Sequence, residues 1–145
     1  MLPDTMNAEA DQSGGSGDGR ASLLIADDDA FMRSALSSQL EGDFQIVAAA
    51  GSVMEAIELV EEHRPDAALI DVEMPGGGAR AAVPQIVARS PGTCIVILSG
   101  DESPQLVLEL LDAGALAYIR KGVSGAQISQ TLTDALRAKT GDRPG

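Results

Sequence analysis

Reactive side chains follow four of the apolar runs in this sequence: Asp27 and Asp28 after SLLIA, Asp71 after AALI, Ser99 after CIVIL, and Lys121 shortly after ALAYI. Carboxylates brought close together repel one another and raise each other's pKa unless a cation lies among them. Oxygen ligands that leave room for water suit Mg²⁺, which commonly binds phosphate oxygens as well. The residue types therefore indicate phosphate chemistry, provided that the fold brings them together.

The lysine and the serine complement the carboxylates. The ammonium group of Lys121 can bind one phosphoryl oxygen, and the hydroxyl group of Ser99 can donate a hydrogen bond to another. An aspartate carboxylate beside them can act as a nucleophile toward phosphorus.

The elements that must position these residues are also visible in the sequence. SLLIA, FQIVA, AALI, CIVIL and ALAYI are continuous apolar runs, a pattern typical of strands that are buried on both faces. Between the runs, apolar residues recur at helical spacing in three segments: Val53, Ile57 and Val60; Leu106, Leu110 and Ala113; Ile128, Leu132 and Leu136. Helix starts are predicted from N-cap residues, namely Asp29 before AFMRSAL, Ser52, Ser103 and Ser124.

Strand and helix alternate five times, which predicts an α/β fold: a (βα)5 doubly wound, five-stranded parallel sheet with helices on both faces. In such a sheet the functional crevice lies beyond the carboxyl ends of the strands. Because the reactive side chains all follow strands, we expect them to converge at that edge.

Composition limits the size and the partners of the chain. The 145 residues, 44% of them hydrophobic, are enough for one domain with one core. A net charge of −12 argues against direct binding of nucleic acid or of an anionic membrane. No apolar stretch is long enough to span a bilayer and no signal peptide is visible, so a cytoplasmic location is expected.

The two ends differ from the middle. Residues 1–20 are rich in Gly, Ser and Asp and are predicted to form a flexible N-terminal tail. Residues 21–138 are predicted to be the folded domain. Residues 139–145 are predicted to be a C-terminal tail or the start of a linker.

The ordered set of Asp27, Asp28, Asp71, Ser99 and Lys121 resembles that of the CheY-like receiver domain of bacterial two-component response regulators. The match covers about residues 21 to 138, and the segment DVEMPGGG looks most similar to receivers of the NarL/LuxR type. The resemblance implies a flavodoxin-like sheet with the strand order 2-1-3-4-5. One departure is Gly122, which follows the lysine where family members usually have proline.

The resemblance also implies roles for individual residues. Asp71 would be the phosphoacceptor, and Lys121, Ser99 and Tyr118 would take the places of the phosphate-binding lysine, the switch hydroxyl and the switch aromatic residue. The cofactor would be Mg²⁺, and its ligands would be Asp28, Asp71, the backbone carbonyl of Glu73 and, through a water molecule, Asp27.

The implied function is a phosphorylation switch in two-component signalling or a phosphorelay, rather than an enzyme with a separate substrate. The partner would be a sensor histidine kinase or a phosphotransfer protein. We expect helix 102–113 and strand 115–119 to change arrangement on phosphorylation. A homodimer through the fourth helix and the fifth strand is also expected, with Leu106, Val107 and Leu110 as its apolar residues.

Two other functions remain open from the sequence. One is a receiver-like docking module that binds its partners without phosphorylation. The other is a hydrolase that works through an aspartyl-phosphate, since Glu73 lies two residues after Asp71, as a general acid does in haloacid-dehalogenase-type phosphatases. Tyr118 has a simpler alternative, since it could be an ordinary core residue. The glycines at 76–78 lack the lysine and the serine or threonine of a phosphate-binding P-loop, so they are expected to give their loop conformational freedom.

Overall fold

The computed structural model describes residues 19–100 and 103–140. Within these ranges five strands alternate with five helices: β1 (Ala21–Ala26), α1 (Ala30–Leu40), β2 (Phe44–Ala50), α2 (Val53–His63), β3 (Ala67–Asp71), α3 (Gly78–Arg89), β4 (Cys94–Ser99), α4 (Pro104–Ala113), β5 (Ala117–Arg120) and α5 (Gly125–Thr140). The predicted alternation is confirmed.

The five strands form one parallel sheet in the order β2-β1-β3-β4-β5. This order confirms the doubly wound, flavodoxin-like fold. The prediction that every strand is buried on both faces is wrong for two of them. β1, β3 and β4 are almost wholly buried, but β2 and β5 lie at the edges of the sheet and are partly exposed. An edge strand has a neighbour on one side only, and β5 is also short.

Alternate residues of the central strands enter two separate cores, one on each face of the sheet. Leu24, Ile70 and Ile97 pack with residues of α2, α3 and α4. Leu23 and Leu69 point the other way and pack with residues of α1 and α5. The period of two along a strand produces this division. Because the strands are parallel, the carboxyl ends of β1, β3, β4 and β5 lie at the same edge of the sheet, and the reactive residues meet there.

All four predicted N-caps are formed. The Asp29 carboxylate accepts hydrogen bonds from the N–H groups of Phe31 and Met32. Each serine accepts a bond from the third residue after it, as is usual at a helix start: Ser52 from Glu55, Ser103 from Leu106, and Ser124 from Gln127. These caps fix where α1, α2, α4 and α5 begin.

The boundaries of the domain differ slightly from the prediction. Arg20, placed in the tail by its composition, donates hydrogen bonds to the carbonyl groups of Glu41 and Phe44. α5 continues to Thr140, so Lys139 and Thr140 are helical and do not belong to a tail. The rest of the two predicted tails, residues 1–18 and 141–145, lies outside the described residues. In the part of the chain that the structure covers, no helix combines the length and apolar character needed to cross a membrane.

Candidate phosphoacceptor site

The fold brings the predicted residues together at the carboxyl edge of the sheet. Asp71 and Ser99 are the last residues of β3 and β4, Asp27 and Asp28 directly follow β1, and Lys121 directly follows β5. The backbone links the last two of these strands, because the N–H of Lys121 donates to the carbonyl oxygen of Ser99 over 2.7 Å. Four strand ends therefore contribute to one site.

Three carboxylates form a tight cluster. One oxygen atom each from Asp27, Asp28 and Asp71 lies within 4.8 Å of the other two. Asp27 and Asp71 are buried, with relative exposures of 1% and 3%, whereas Asp28 is exposed. One oxygen of Asp27 accepts a hydrogen bond from the N–H of Asp29 at 2.9 Å. Asp28 is thus the member of the cluster that is exposed to solvent.

The donor set fits a hard divalent cation. The other carboxylate oxygen of Asp27, Oδ2, is buried and has no hydrogen-bond partner within the described residues. A buried acceptor without a partner is costly, and a cation at the cluster would satisfy it. The cluster offers oxygen ligands only, and its open side leaves space for water and phosphate oxygens, which is the environment that Mg²⁺ prefers.

Asp71 is also paired with a cation of the protein itself. The Lys121 ammonium lies 2.9 Å from Asp71 Oδ1 and is about a third exposed. Burial raises the pKa of the Asp71 carboxyl above its ordinary value of 3.8. The negative charge of Asp27 adds to this rise, while Lys121 and a hydrogen bond from the backbone N–H of Glu73 oppose it. The site therefore contains more negative charge than its own lysine compensates.

An open cavity of about 470 Å³ lies beside Asp28, the exposed member of the cluster. Its lining includes Asp28, Glu73, Met74, Arg80 and Leu106. The Glu73 side chain is exposed, and Arg80 forms an ion pair of 2.9 Å with Glu109 on α4. The cavity is therefore lined by side chains of both charges.

The two predicted switch residues both line a second cavity, of about 300 Å³, together with residues of α4. Ser99 is buried, with 2% exposure. Tyr118 is 47% exposed, so the alternative that it is a core residue is wrong. An edge strand exposes one of its faces, and Tyr118 lies on that face. The cavity gives the tyrosine ring space into which it can move.

The prediction that Leu106, Val107 and Leu110 form an apolar homodimer contact is wrong, because these residues pack in or against the core. Leu110 is 1% exposed and Val107 is 9% exposed, and Leu106 is half-buried against the core. The exposed apolar residues of the same region are Leu108 on α4, Leu116 before β5, and Tyr118. The helical spacing that identified the apolar face of α4 describes its core side, not a surface for a partner.

Two residues near the site were not singled out from the sequence. The Arg33 guanidinium group on α1 donates to the carbonyl oxygen of Asp27 over 2.7 Å, which holds the end of β1. Gly78 lies against the carbonyl group of the peptide between Val72 and Glu73. An arginine six residues after an aspartate carries no recognisable signal, and Gly78 stands in a run of three glycines that hides its individual role.

Comparison with known proteins places the chain in a family. Residues 23–133 match the family described as the response regulator receiver domain. The chain belongs to this family. Receiver domains of this family generally act as switches, and the acidic cluster, the lysine and the sheet order of this receiver are consistent with that function.

Two curated relatives of this receiver are 39% identical to it. One is a protein-glutamate methylesterase/protein-glutamine glutaminase of Haloarcula marismortui, matched over 113 residues, which are 76% of this chain and 30% of the relative. The other is the transcriptional regulatory protein PdtaR of Mycobacterium tuberculosis, matched over 103 residues, 70% of this chain and 50% of the relative. The chain thus spans half or less of the length of these relatives.

A solved structure supports the same assignment. A two-component response regulator of the LuxR family from Aurantimonas sp. SI85-9A1 superimposes on this receiver with a TM-score of 0.78 and 25% sequence identity, covering 83% of this chain and 87% of the other. The LuxR-type resemblance of the DVEMPGGG segment agrees with this neighbour.

Proposed function

We propose that this receiver domain is a phosphorylation switch in which Asp71 accepts a phosphoryl group from a sensor histidine kinase or a phosphotransfer protein, in the presence of Mg²⁺. The observation that carries the proposal is the position of Lys121 Nζ, 2.9 Å from Asp71 Oδ1, beside a carboxylate cluster with an unpartnered buried oxygen. Lys121 and the carboxylate cluster argue against a docking module that is never phosphorylated, because such a module does not require these residues.

The reaction transfers one phosphoryl group. A carboxylate oxygen of Asp71 attacks the phosphorus atom of a phosphohistidine, the bond between phosphorus and the imidazole nitrogen breaks, and the nitrogen keeps its electron pair. The products are an acyl phosphate on Asp71 and a free histidine side chain. Lys121 remains beside the reacting oxygen atoms and compensates charge on the phosphoryl group.

Asp27, Asp28, Asp71 and the carbonyl oxygen of Glu73 would hold Mg²⁺. Bound there, the ion supplies charge neutralisation for the three carboxylates and for the phosphoryl oxygens. The Asp29 N–H and the Arg33 guanidinium group hold Asp27 in place through its side chain and its carbonyl oxygen.

The phosphoryl group then changes the surface of the domain. Ser99 Oγ donates a hydrogen bond to a phosphoryl oxygen, and Tyr118 turns inward into the cavity between β5 and α4. The surface formed by α4 and β5 therefore has two arrangements, and the phosphoryl group shifts the balance between them.

Intact-mass spectrometry after incubation with Mg²⁺ and acetyl phosphate tests the proposal. We expect one labile phosphoryl adduct on the wild type and none on Asp71→Asn. Asp29→Asn is the matched control, because asparagine is a good N-cap and this residue is outside the carboxylate cluster, so the adduct should persist.

The outcomes separate the proposed functions. No adduct on the wild type would contradict the phosphorylation switch and favour the docking module. An adduct that survives in Asp71→Asn would show that another residue is the phosphoacceptor.

A further inference from the structure

The peptide group between Val72 and Glu73 connects the phosphoacceptor with the start of α3. Its nitrogen belongs to Glu73, whose backbone N–H is among the groups that lower the pKa of the Asp71 carboxyl. Its carbonyl oxygen, which belongs to Val72, accepts a hydrogen bond of 2.9 Å from the N–H of Ala79 in the first turn of α3. The orientation of this one peptide therefore depends on α3 and determines which way the N–H points.

Gly78 lies against the same carbonyl group. A Cβ atom at this position would lie 2.3 Å from the Val72 oxygen, much closer than any ordinary contact, and 3.8 Å from the Cα of Glu73. The backbone of Gly78 also has a φ of 66°, in the left-handed region that favours glycine. Any side chain at residue 78 must therefore move either α3 or the Val72–Glu73 peptide.

The rest of the loop leaves little freedom to absorb such a movement elsewhere. The N–H of Val72 donates to the carbonyl oxygen of Leu98 on β4 at 3.1 Å, and the carbonyl oxygen of Pro75 accepts from the N–H of Val53 on α2 at 3.0 Å. Both ends of the loop are thus attached to other elements. The peptide between Val72 and Glu73 is the group that a side chain at residue 78 pushes directly.

From these contacts we infer that Gly78 is a positioning residue for phosphorylation: its missing side chain lets α3 hold the Val72–Glu73 peptide, one residue after Asp71, in its place. The inference rests on the proposed role of Asp71 as phosphoacceptor. It assigns to one glycine of the GGG segment a requirement for close approach, in place of the conformational freedom expected from the sequence.

The first test compares the rates at which acetyl phosphate and Mg²⁺ phosphorylate Gly78→Ala and Gly77→Ala. Gly77 is the matched control, because it has a φ of 109° and a Cβ there would meet the Ala81 side chain at 2.8 Å, not the Val72–Glu73 peptide. Rates are measured by intact mass and divided by the folded fraction of each variant. We expect a loss of roughly tenfold or more for Gly78→Ala, since small misplacements of reacting groups reduce rates strongly, and a rate close to wild type for Gly77→Ala.

The second test is spectroscopic and needs no folded Gly78 variant. In the wild type without Mg²⁺, the Glu73 amide proton should resonate downfield because its acceptor is a charged carboxylate, and Asp71→Asn should shift it upfield. Where Gly78→Ala folds, its Glu73 amide proton should show a similar upfield shift although Asp71 is unchanged.

Each result bears on one of the two proposals. No adduct on the wild type contradicts the role of Asp71. An adduct on the wild type and an unchanged rate for Gly78→Ala contradict the role of Gly78 and leave that of Asp71 intact. Equal losses for both glycine variants would indicate general damage to the loop and overturn the positioning role, as would a wild-type Glu73 amide proton that does not respond to Asp71→Asn.

Discussion

Asp71 is a buried carboxylate whose surroundings act on its charge in opposite directions. Burial and the neighbouring Asp27 disfavour the ionised form, and Lys121 and the Glu73 N–H favour it. The net effect raises its pKa above 3.8, so the folded chain holds a proton on Asp71 more tightly than the unfolded chain does. The residue that we propose as nucleophile is therefore a source of instability at neutral pH.

The first prediction follows from the sign of this shift. Stability contributed by Asp71 falls as the pH rises from about 3.8 through its raised pKa, because the unfolded state loses its proton first. Without divalent ions, Asp71→Asn should increase the free energy of unfolding at about pH 7 by about 1 kcal/mol. The gain should disappear below pH 3.8, the ordinary value, where both forms are neutral. Urea unfolding of both proteins in EDTA at several pH values measures this difference in the free energy of unfolding. A gain that does not change with pH would show that the raised pKa of Asp71 is not its cause.

The second prediction concerns the unpartnered oxygen of Asp27. A ligand that binds only the folded state raises the free energy of unfolding by about 2.7 kcal/mol when its free concentration is a hundred times its dissociation constant. Mg²⁺ should therefore raise the unfolding temperature of the wild type, and Asp27→Asn should remove most of that increase. Thermal unfolding with and without Mg²⁺ measures the effect, and Asp29→Asn serves as the control. Equal Mg²⁺ effects in wild type and Asp27→Asn would place the ion elsewhere.

The sequence was informative about residues whose position is set by the end of a strand. Asp27, Asp71 and Ser99 each end or directly follow an apolar run, and parallel strands bring such ends to one edge, so their proximity could be predicted. The exposure of Tyr118 could not, because it depends on β5 being a short edge strand. The contact of Gly78 with Val72 depends on an interatomic distance, which no pattern of residue types encodes.

At the scale of elements, the helices with an apolar period and an N-cap serine or aspartate were predictable, and α3 was the exception. It begins after Gly77, which supplies no side-chain cap, and contains Pro84 within its length. Proline cannot donate the usual backbone hydrogen bond and clashes with the preceding turn, so it argues against a helix in the sequence. Burial of Ala79, Ala82, Val83 and Ile86 against the sheet outweighs this local disadvantage.

The third prediction concerns α4 and β5 as one element. Beryllofluoride, a phosphoryl mimic, should shift the backbone resonances of residues 104–113 and 117–120 much more than those of α1 and α2, because Ser99 and Tyr118 border the cavity beside α4. Ser99→Ala should still bind the mimic but should reduce these shifts. The two-dimensional amide spectra of both proteins show the outcome. Unchanged α4 and β5 resonances in the wild type would rule out this element as the switch.

At the scale of the whole molecule, the sheet lies between two apolar cores and carries the reactive residues at its carboxyl edge. Among the residues that the structure describes, few large apolar side chains are exposed. Leu108, Leu116 and Tyr118, on α4 and around β5, are three of them. The chain also has a net charge of −12, which opposes self-association at low ionic strength. Association of two copies would thus have to be driven by a local apolar contact.

The fourth prediction tests this surface as a phosphorylation-dependent dimer contact. If the wild type dimerises with beryllofluoride, Leu108→Glu should weaken the dimer at least about tenfold, since a charge buried in an interface core is strongly unfavourable. Met54→Glu is the control, because Met54 is also exposed, at 70%, but lies on α2. Analytical ultracentrifugation at matched ionic strength measures both. A dimer lost with Met54→Glu and kept with Leu108→Glu would place the contact on α2 instead of α4.

The ion pair between Lys121 and Asp71 has a chemical consequence for the resting protein. The ammonium lies 2.9 Å from Asp71 Oδ1 and so shields one oxygen of the carboxylate that we propose as the nucleophile. Reagents that attack free carboxylates, such as carbodiimides, should modify Asp28 well before Asp71. The ion pair therefore makes two carboxylates of the same cluster differ in reactivity.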